Sequence, residues 1–271
     1  MRYETIRNIT LPRIGFGTWK LGGASGPDPS QEGRWLAALR SALELGYTHF
    51  DTSEKYADGY AEELLGRAIR EAGSAREDLF ITSKVWPNHL RFDDVLKACA
   101  GSLRRLNTEY LDLYLIHWPT ELVPLKETFR ALNRLVSEGK VRHIGVSNFT
   151  LRLLKQAQNL AETPLLTNQV PYSVYERTYV KNGVLAYCQQ NDILLTAYSP
   201  VEGGRLRLKQ ALQSVADRLH ATPYQVALAW LIAQPCVITI PMSLDPKHQA
   251  ENLAAADLTL SPSDIEQLYL L

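Results

Sequence analysis

The chain alternates short apolar runs with longer amphipathic segments. Eight runs rich in β-branched or aliphatic residues predict strands at 13–18, 48–52, 79–84, 111–117, 142–147, 165–170, 193–199 and 237–241. Several of them are apolar almost throughout, as is typical of parallel strands that are covered on both faces. Strands that alternate with helical patterns in this way predict a parallel sheet surrounded by helices.

The segments between the strands carry apolar residues at i, i+3, i+4 and i+7, the spacing of a helix with one buried face. The clearest predicted helices cover 32–45, 61–72, 92–106 and 125–139. Cap residues support these bounds, since Gly139 ends the fourth helix and Thr222 with Pro223 opens a later one. Residues 2–13 are expected to form a short hairpin before the first strand.

Eight strand–helix units in one chain of 271 residues predict an α/β fold, a closed (β/α)8 TIM barrel with a short N-terminal β-hairpin. No low-complexity linker interrupts the pattern, so residues 1–271 are expected to form a single domain. Barrels of this kind place their chemistry at the C-terminal ends of the strands. Polar or aromatic residues stand at those ends: Trp19, Asp51, Lys84, His117, Ser147, Asn148, Gln169, Tyr198, Ser199 and Ser243.

The charge balance is neutral, with 29 acidic and 29 basic residues. Nothing global therefore draws the chain toward nucleic acid or an anionic membrane, and a small-molecule partner is expected. No apolar run reaches the ~18 residues of a membrane span, and the N-terminus lacks the pattern of a signal peptide. The three cysteines are scattered without metal-ligand spacing, so no metal site is predicted. A cytoplasmic monomer is the resulting expectation.

Three strand ends in succession carry Asp51, Lys84 and His117, and Tyr56 lies one loop turn beyond Asp51. An aspartate and a lysine placed together out of water hold each other ionised, because either alone would bear a large desolvation cost. The ammonium is then expected near the phenol, where it would lower a pKa that is normally about 10. Tyr56 is therefore a candidate general acid.

Seven short motifs, in order and at matching spacing, resemble the aldo-keto reductase family. They are "DTSEKY", "ITSKVW", "LIHWP", "GVSNF", "NQV", "AYSP" and "IPMS....AEN", and they extend from about Ile14 to Asn252. The resemblance implies an NAD(P)H-dependent reductase of aldehydes and ketones with Asp51, Tyr56, Lys84 and His117 as its catalytic tetrad. In that scheme Tyr56 protonates the carbonyl oxygen, Lys84 tunes Tyr56, and His117 orients the carbonyl.

The same resemblance implies a set of cofactor contacts. Ser147, Asn148 and Gln169 would hold the carboxamide and Tyr198 would stack on the nicotinamide, with Thr18 and Trp19 nearby. Ser199, Pro200 and Val201 would follow the pyrophosphate. Ser243, His248, Glu251 and Asn252 would lie at the adenosine end. NADP(H) is favoured, and NAD(H) stays possible because Met242 and His248 replace a lysine and an arginine that are common in the family.

Aromatic residues after the strand ends predict an apolar substrate pocket with one polar corner. They are Trp19, Trp86, Trp118 and Phe149. From the family, small or aromatic aldehydes and dicarbonyls are the implied substrates. The chain ends soon after its last helix, without the long C-terminal loop of some relatives, which suggests an open and permissive site.

The motifs fit several other functions less well. "GFGTWKLGG" lacks the third glycine of a dinucleotide-binding fingerprint, since Lys20 occupies its place. A metal-dependent hydrolase would need several histidines at strand ends, but only His117 is well placed there. A glycosidase would need a pair of carboxylates at those ends, and that pair is absent from the sequence pattern. The alternative that stays open is a nucleotide-sensing barrel subunit of a membrane channel, which would bind NADP(H) with little turnover.

Overall fold

The computed structural model describes residues 2–271 and divides them into ten strands and eleven α-helices. The strands are β1 Tyr3–Ile6, β2 Ile9–Pro12, β3 Phe16–Gly17, β4 His49–Asp51, β5 Phe80–Val85, β6 Leu111–Ile116, β7 Val141–Ser147, β8 Thr167–Pro171, β9 Leu194–Tyr198 and β10 Val237–Thr239. The helices are α1 Glu32–Glu44, α2 Tyr60–Ala72, α3 Phe92–Leu106, α4 Leu125–Ser137, α5 Leu151–Leu160, α6 Thr178–Lys181, α7 Val184–Gln190, α8 Gln210–Arg218, α9 Pro223–Ile232, α10 Pro246–Ala254 and α11 Pro262–Tyr269. Over the same residues, none of these helices combines the length and apolar character needed to cross a bilayer.

Strands β3 to β10 form one parallel sheet in sequential order, each strand paired with the next along the chain. The two ends of the sheet meet where Ile14 bridges Thr239 in parallel. The Gly15 amide donates to the Thr239 carbonyl at 2.8 Å, and the Thr239 amide donates to the Arg13 carbonyl at 2.8 Å. These bonds close the sheet, and the predicted (β/α)8 barrel is confirmed.

The closure is tight at Gly17. A Cβ there would lie 2.7 Å from the backbone oxygen of Ile240, closer than real side chains approach, so only glycine lets these backbones meet. Only Phe16 and Gly17 of β3 pair with β4, so β3 is shorter than the strand predicted at 13–18. The four predicted helices at 32–45, 61–72, 92–106 and 125–139 all form, with bounds within two residues of those expected.

The N-terminal hairpin, also as predicted, pairs β1 with β2 antiparallel. Its Ile6 and Leu11 are buried in a cluster with inward-facing barrel residues, namely Leu113, Leu115, Leu166, Leu194 and Ile238. Leu166 immediately precedes β8 and Leu194 begins β9, so the hairpin packs against the N-terminal end of the barrel. The opposite end is left to the loops that follow the strands.

Side chains alternate across each strand between the barrel interior and the helices. In β6, Leu113 and Leu115 belong to the interior cluster, whereas Tyr114 and Ile116 pack in the larger core under the helices. By the same alternation, the side chain of His117 also faces the barrel interior. This alternation decides which residues reach the C-terminal mouth.

Candidate active site

The barrel mouth gathers the side chains predicted from three neighbouring strands. Asp51 ends β4, Lys84 lies one residue before the end of β5, and His117 follows β6. Their exposed fractions are 1%, 0% and 9%, so the charged pair is removed from water.

Asp51 and Lys84 form a buried ion pair, with Nζ of Lys84 2.5 Å from Oδ1 of Asp51. The ammonium also donates to the Thr52 carbonyl at 2.8 Å, and the Gln169 side-chain amide donates to Oδ2 of Asp51 at 2.8 Å. Each charge thus has several partners, as a buried pair requires. Burial alone lowers the pKa of Lys84, but Asp51 and then Tyr56 raise it above its ordinary value, so the side chain stays charged.

The Tyr56 hydroxyl lies 3.3 Å from Nζ of Lys84, within hydrogen-bond reach, and Nζ lies 4.9 Å from the centre of the phenol ring. Burial raises the pKa of Tyr56, and the opposing effect of Lys84 does not cancel it. The expected lowering of this pKa is therefore wrong for the free site, because desolvation disfavours the phenolate more than one ammonium stabilises it. The phenol stays protonated, which is the state a proton donor needs.

A sharp turn follows Tyr56. Ala57 and Asp58 have φ of 48° and 51°, and Gly59 continues the left-handed run at 93°. Such conformations cost about 1–2 kcal/mol for each non-glycine residue, so the surrounding structure must hold them. Lys55 contributes by pairing with Asp58 at 2.9 Å. The turn directs the chain from the mouth into α2 and leaves Tyr56 beside Lys84.

His117 packs edge-on against two aromatic rings, with centroid distances of 5.7 Å to Tyr56 and 5.0 Å to Trp86. Its Nδ1 lies 3.0 Å from the Ser53 hydroxyl. Burial, reinforced by the charge of Lys84, lowers the pKa of His117 to about 2. The ring is therefore neutral in any ordinary buffer.

The four residues predicted around the nicotinamide lie together beside this cluster. Nδ2 of Asn148 donates to Oγ of Ser147 at 3.0 Å, and the Tyr198 hydroxyl donates to Oδ1 of Asn148 at 2.9 Å. The side-chain amide of Gln169 joins the group to Asp51. Amide and hydroxyl groups beside a partly exposed tyrosine ring fit a carboxamide-bearing aromatic ring.

Two further predicted cofactor contacts, Thr18 and Trp19, directly follow β3. Thr18 is fully buried, and its hydroxyl donates to the Asp51 carbonyl at 3.0 Å, so the side chain fixes the backbone of β4. Trp19 is 53% exposed, with the Lys20 ammonium 4.4 Å from its ring centre.

The predicted pyrophosphate residues follow β9. Ser199 is exposed in a left-handed conformation, Pro200 is buried, and Val201 is half-buried. Of the predicted adenosine contacts, Ser243 and Glu251 are half-buried, His248 is exposed and Asn252 is buried.

The predicted adenosine end contains its own carboxylates. Asp245 caps α10 by accepting the Lys247 amide at 2.8 Å, and its Oδ2 lies 3.9 Å from Nδ1 of His248. Nζ of Lys247 lies 3.9 Å from Oε1 of Glu251. Each potential cation here has an acidic neighbour on the same helix or at its cap.

The predicted substrate residues separate into two kinds. Trp118 is 42% exposed, Trp19 is more exposed still, and Trp86 is half-buried against His117, so these three present apolar surface. Phe149 is completely buried in the core under the helices and has no surface that a substrate could touch. Its predicted role as a substrate contact is therefore corrected to packing.

Ser53 and Glu54 lie near the site but do not belong to the set of residues predicted from the sequence. Ser53 contacts His117, and Glu54 accepts both the Trp86 amide at 2.7 Å and Nδ1 of His89 at 3.0 Å. Glu54 thereby ties the loop that carries Tyr56 to the loop that carries Trp86. The signal available was the polar character of "TSE" directly after a buried strand.

The sequence model of the Aldo/keto reductase family matches residues 13–269. This chain belongs to that family. Methylglyoxal reductase YeaE of Escherichia coli strain K12, an aldo/keto reductase relative, is 38% identical over 267 residues, which are 96% of this chain and 91% of that protein.

Solved structures agree with the family assignment. The thermostable aldo-keto reductase Tm1743, crystallised with the inhibitor epalrestat, superposes with a TM-score of 0.96 at 42% identity and covers 100% of this chain and 99% of its own. An aldo-keto reductase from Klebsiella pneumoniae in complex with NADP and acetate has a TM-score of 0.86 at 38% identity, covering 98% and 94% respectively. Among these relatives, YeaE is named a methylglyoxal reductase and the Klebsiella pneumoniae protein is in complex with NADP.

Proposed function

We propose that this chain is an NADP(H)-dependent reductase that converts aldehydes and ketones to alcohols, with Tyr56 as the general acid. The observation that carries the proposal is the placement of a protonated phenol 3.3 Å from a buried ammonium that Asp51 keeps charged. A phenol in this setting can give its proton to a carbonyl oxygen, and the ammonium stabilises the phenolate that forms.

The chain's own groups would act as follows. Tyr56 donates its proton to the carbonyl oxygen, Lys84 stabilises the resulting negative charge, and Asp51 prevents Lys84 from losing its own proton in the buried site. His117, being neutral, orients the carbonyl oxygen toward Tyr56 by a hydrogen bond. When bound, NADPH supplies the hydride.

The cofactor would be held by the residues beside Asp51. Ser147, Asn148 and Gln169 provide amide and hydroxyl groups for the carboxamide, and Tyr198 provides a ring for stacking. NADP(H) is the preferred cofactor in this proposal, supported by the Klebsiella pneumoniae relative in complex with NADP. NAD(H) is the second candidate, because Met242 offers no charge to a 2′-phosphate and His248 already lies near Asp245.

The substrate class follows from the mouth. Trp19 and Trp118 offer exposed aromatic surface in the loops after β3 and β6, and Tyr56 and His117 offer polar groups, which suits aromatic aldehydes as well as small dicarbonyls. The name of the YeaE relative supports methylglyoxal as a dicarbonyl to test. We also retain one barrel domain over residues 1–271, a monomer and a cytoplasmic address as predictions.

The experiment is a panel of carbonyl compounds, including methylglyoxal and benzaldehyde, followed at the nicotinamide absorbance with NADPH and with NADH. Tyr56→Phe should lower turnover by at least about 100-fold, the usual contribution of a positioned acid, while NADPH still quenches tryptophan fluorescence. Tyr187→Phe is the matched control, since its hydroxyl bonds Gln158 on the helical layer. Full activity in Tyr56→Phe would refute the acid, and no turnover of any compound by the parent protein would refute the reductase.

A further inference from the structure

Ser53 is a buried hydroxyl in contact with His117 that the sequence motifs left without a role. It lies two residues beyond Asp51 and is fully buried. Its Oγ accepts the backbone amide of Lys55 at 3.1 Å, which occupies one of the two lone pairs of the hydroxyl. One proton and one lone pair remain for its other neighbours.

Two acceptors compete for the Ser53 proton. Nδ1 of His117 lies at 3.0 Å, whereas the carbonyl oxygen of Lys84 lies at 3.4 Å. Hydroxyl hydrogen bonds in proteins are typically 2.5–3.0 Å long, so the contact to His117 is the better one. If the serine donates to Nδ1, that nitrogen carries no proton, and a neutral imidazole must then carry its proton on Nε2.

Nε2 is the ring nitrogen available to a substrate. Within residues 2–271 it has no hydrogen-bond partner, and it keeps some exposed surface, so a group in the barrel mouth can reach it. The edge-on contacts with Tyr56 and Trp86 restrict rotation of the ring. The side-chain amide of Asn148 also holds the His117 carbonyl at 3.0 Å.

We propose that Ser53 is a positioning residue that fixes His117 in the tautomer with the proton on Nε2, aimed at the carbonyl oxygen of the substrate. This inference deepens the proposed function and rests on it for the identity of the substrate group. The opposite tautomer would turn a lone pair toward the carbonyl oxygen and repel it. A serine hydroxyl thus decides whether His117 attracts or repels the reacting group.

The test is the tautomer itself, read in the free enzyme. Protein labelled with ¹⁵N-histidine gives long-range ¹H–¹⁵N spectra in which the protonated ring nitrogen is distinguished from the bare one, and His117→Gln identifies the His117 signals among the six histidines. The wild-type spectrum should show the Nε2–H form throughout neutral pH. An Nδ1–H form would overturn the proposal, whether or not the protein reduces any carbonyl compound.

Two variants extend the test to turnover. Ser53→Ala should produce a mixture of tautomers and lower kcat/KM by about tenfold, the effect of losing one orienting hydrogen bond, with the dissociation constant for NADPH unchanged. Ser53→Thr keeps the hydroxyl and should restore the Nε2–H form. Ser214→Ala, which removes an exposed helix hydroxyl, is the control. Wild-type tautomer and wild-type turnover in Ser53→Ala would overturn the role of Ser53, whereas the expected tautomer change without carbonyl turnover in the parent would refute only the proposed function.

Discussion

Gln169 donates a hydrogen bond from its side-chain amide to Oδ2 of Asp51 at 2.8 Å, across 118 positions of sequence. The other oxygen of Asp51 is bound by Lys84 at 2.5 Å. A residue expected to contact the cofactor is thereby joined to the ion pair that serves the proposed acid. Binding of the nicotinamide and ionisation of Lys84 are expected to depend on each other through this amide.

The first prediction concerns that amide. Gln169→Leu leaves Oδ2 of Asp51 buried without its donor, which should lower the free energy of unfolding by about 1–3 kcal/mol and weaken NADPH binding as well. Urea unfolding and fluorescence titration measure the two effects. Gln213→Leu removes a similar amide-to-carboxylate bond, to Asp217 at 2.7 Å on the surface of α8, and should change stability by less than about 0.5 kcal/mol. Equal unfolding free energies of the two variants, with unchanged NADPH binding in Gln169→Leu, would contradict the proposed role of this amide.

The second prediction concerns the buried ion pair. Lys84→Met leaves the Asp51 carboxylate buried without its cation, and stability should fall by about 3–5 kcal/mol. Adding Asp51→Asn removes the stranded charge, so the double variant should be more stable than Lys84→Met alone while turnover stays lost. Lys97→Met breaks an exposed pair with Asp94 and should cost less than about 1 kcal/mol. If the stability loss of the double variant equals the sum of the losses of Lys84→Met and Asp51→Asn measured singly, the two residues are not coupled.

The strands and the identity of the mouth residues could be read from the chain because both depend on a local period. Asp51, Lys84 and His117 end apolar runs, and the alternation of side chains puts all three inside the barrel. Phe149 could not be placed in this way. It follows Asn148, whose φ of 63° redirects the chain after β7, and the aromatic side chain enters the core.

The electrostatic expectations depended on information that a linear pattern does not carry. The sequence indicated an ammonium near Tyr56, but the sign of the net pKa shift depends on how much water the fold removes from the phenol. The bonds from Ser53 to His117 and from Gln169 to Asp51 join positions 64 and 118 residues apart. Only the register of the closed barrel brings these groups within hydrogen-bond distance.

The third prediction concerns stability in acid. The pKa of His117 is lowered from 6.5 to about 2 and that of His49 from 6.5 to about 4, in both cases chiefly by burial. Below pH 6.5 the unfolded chain binds protons at both histidines, whereas the folded chain begins to bind one at His49 only as the pH approaches about 4. Stability should therefore fall as the pH falls, by about 1.4 kcal/mol per pH unit for each histidine once the unfolded form is fully protonated.

His117→Gln isolates one of these protons. The slope of unfolding free energy against pH, measured in urea between pH 5.5 and pH 4.5, should decrease by about one proton relative to the parent protein. His220→Asn, which removes an exposed histidine at a left-handed turn position that asparagine tolerates, is the control variant. If His117→Gln behaves like this control, the imidazole is not neutral in the folded protein at those pH values.

The last prediction concerns the choice between NADPH and NADH. Asp245 places a carboxylate 3.9 Å from His248 at the proposed adenosine end, where a 2′-phosphate would have to approach. Asp245→Asn removes this charge and keeps a good helix cap, because asparagine accepts the Lys247 amide equally well. The dissociation constant for NADPH should fall about two- to fivefold, in line with the usual strength of one exposed charge near a helix N-terminus, and that for NADH should stay constant. Asp217→Asn, an exposed carboxylate on α8, is the control for a change in net charge alone. An equal improvement for both cofactors would place Asp245 away from the phosphate, and the discrimination would then have to come from elsewhere along the proposed cofactor path.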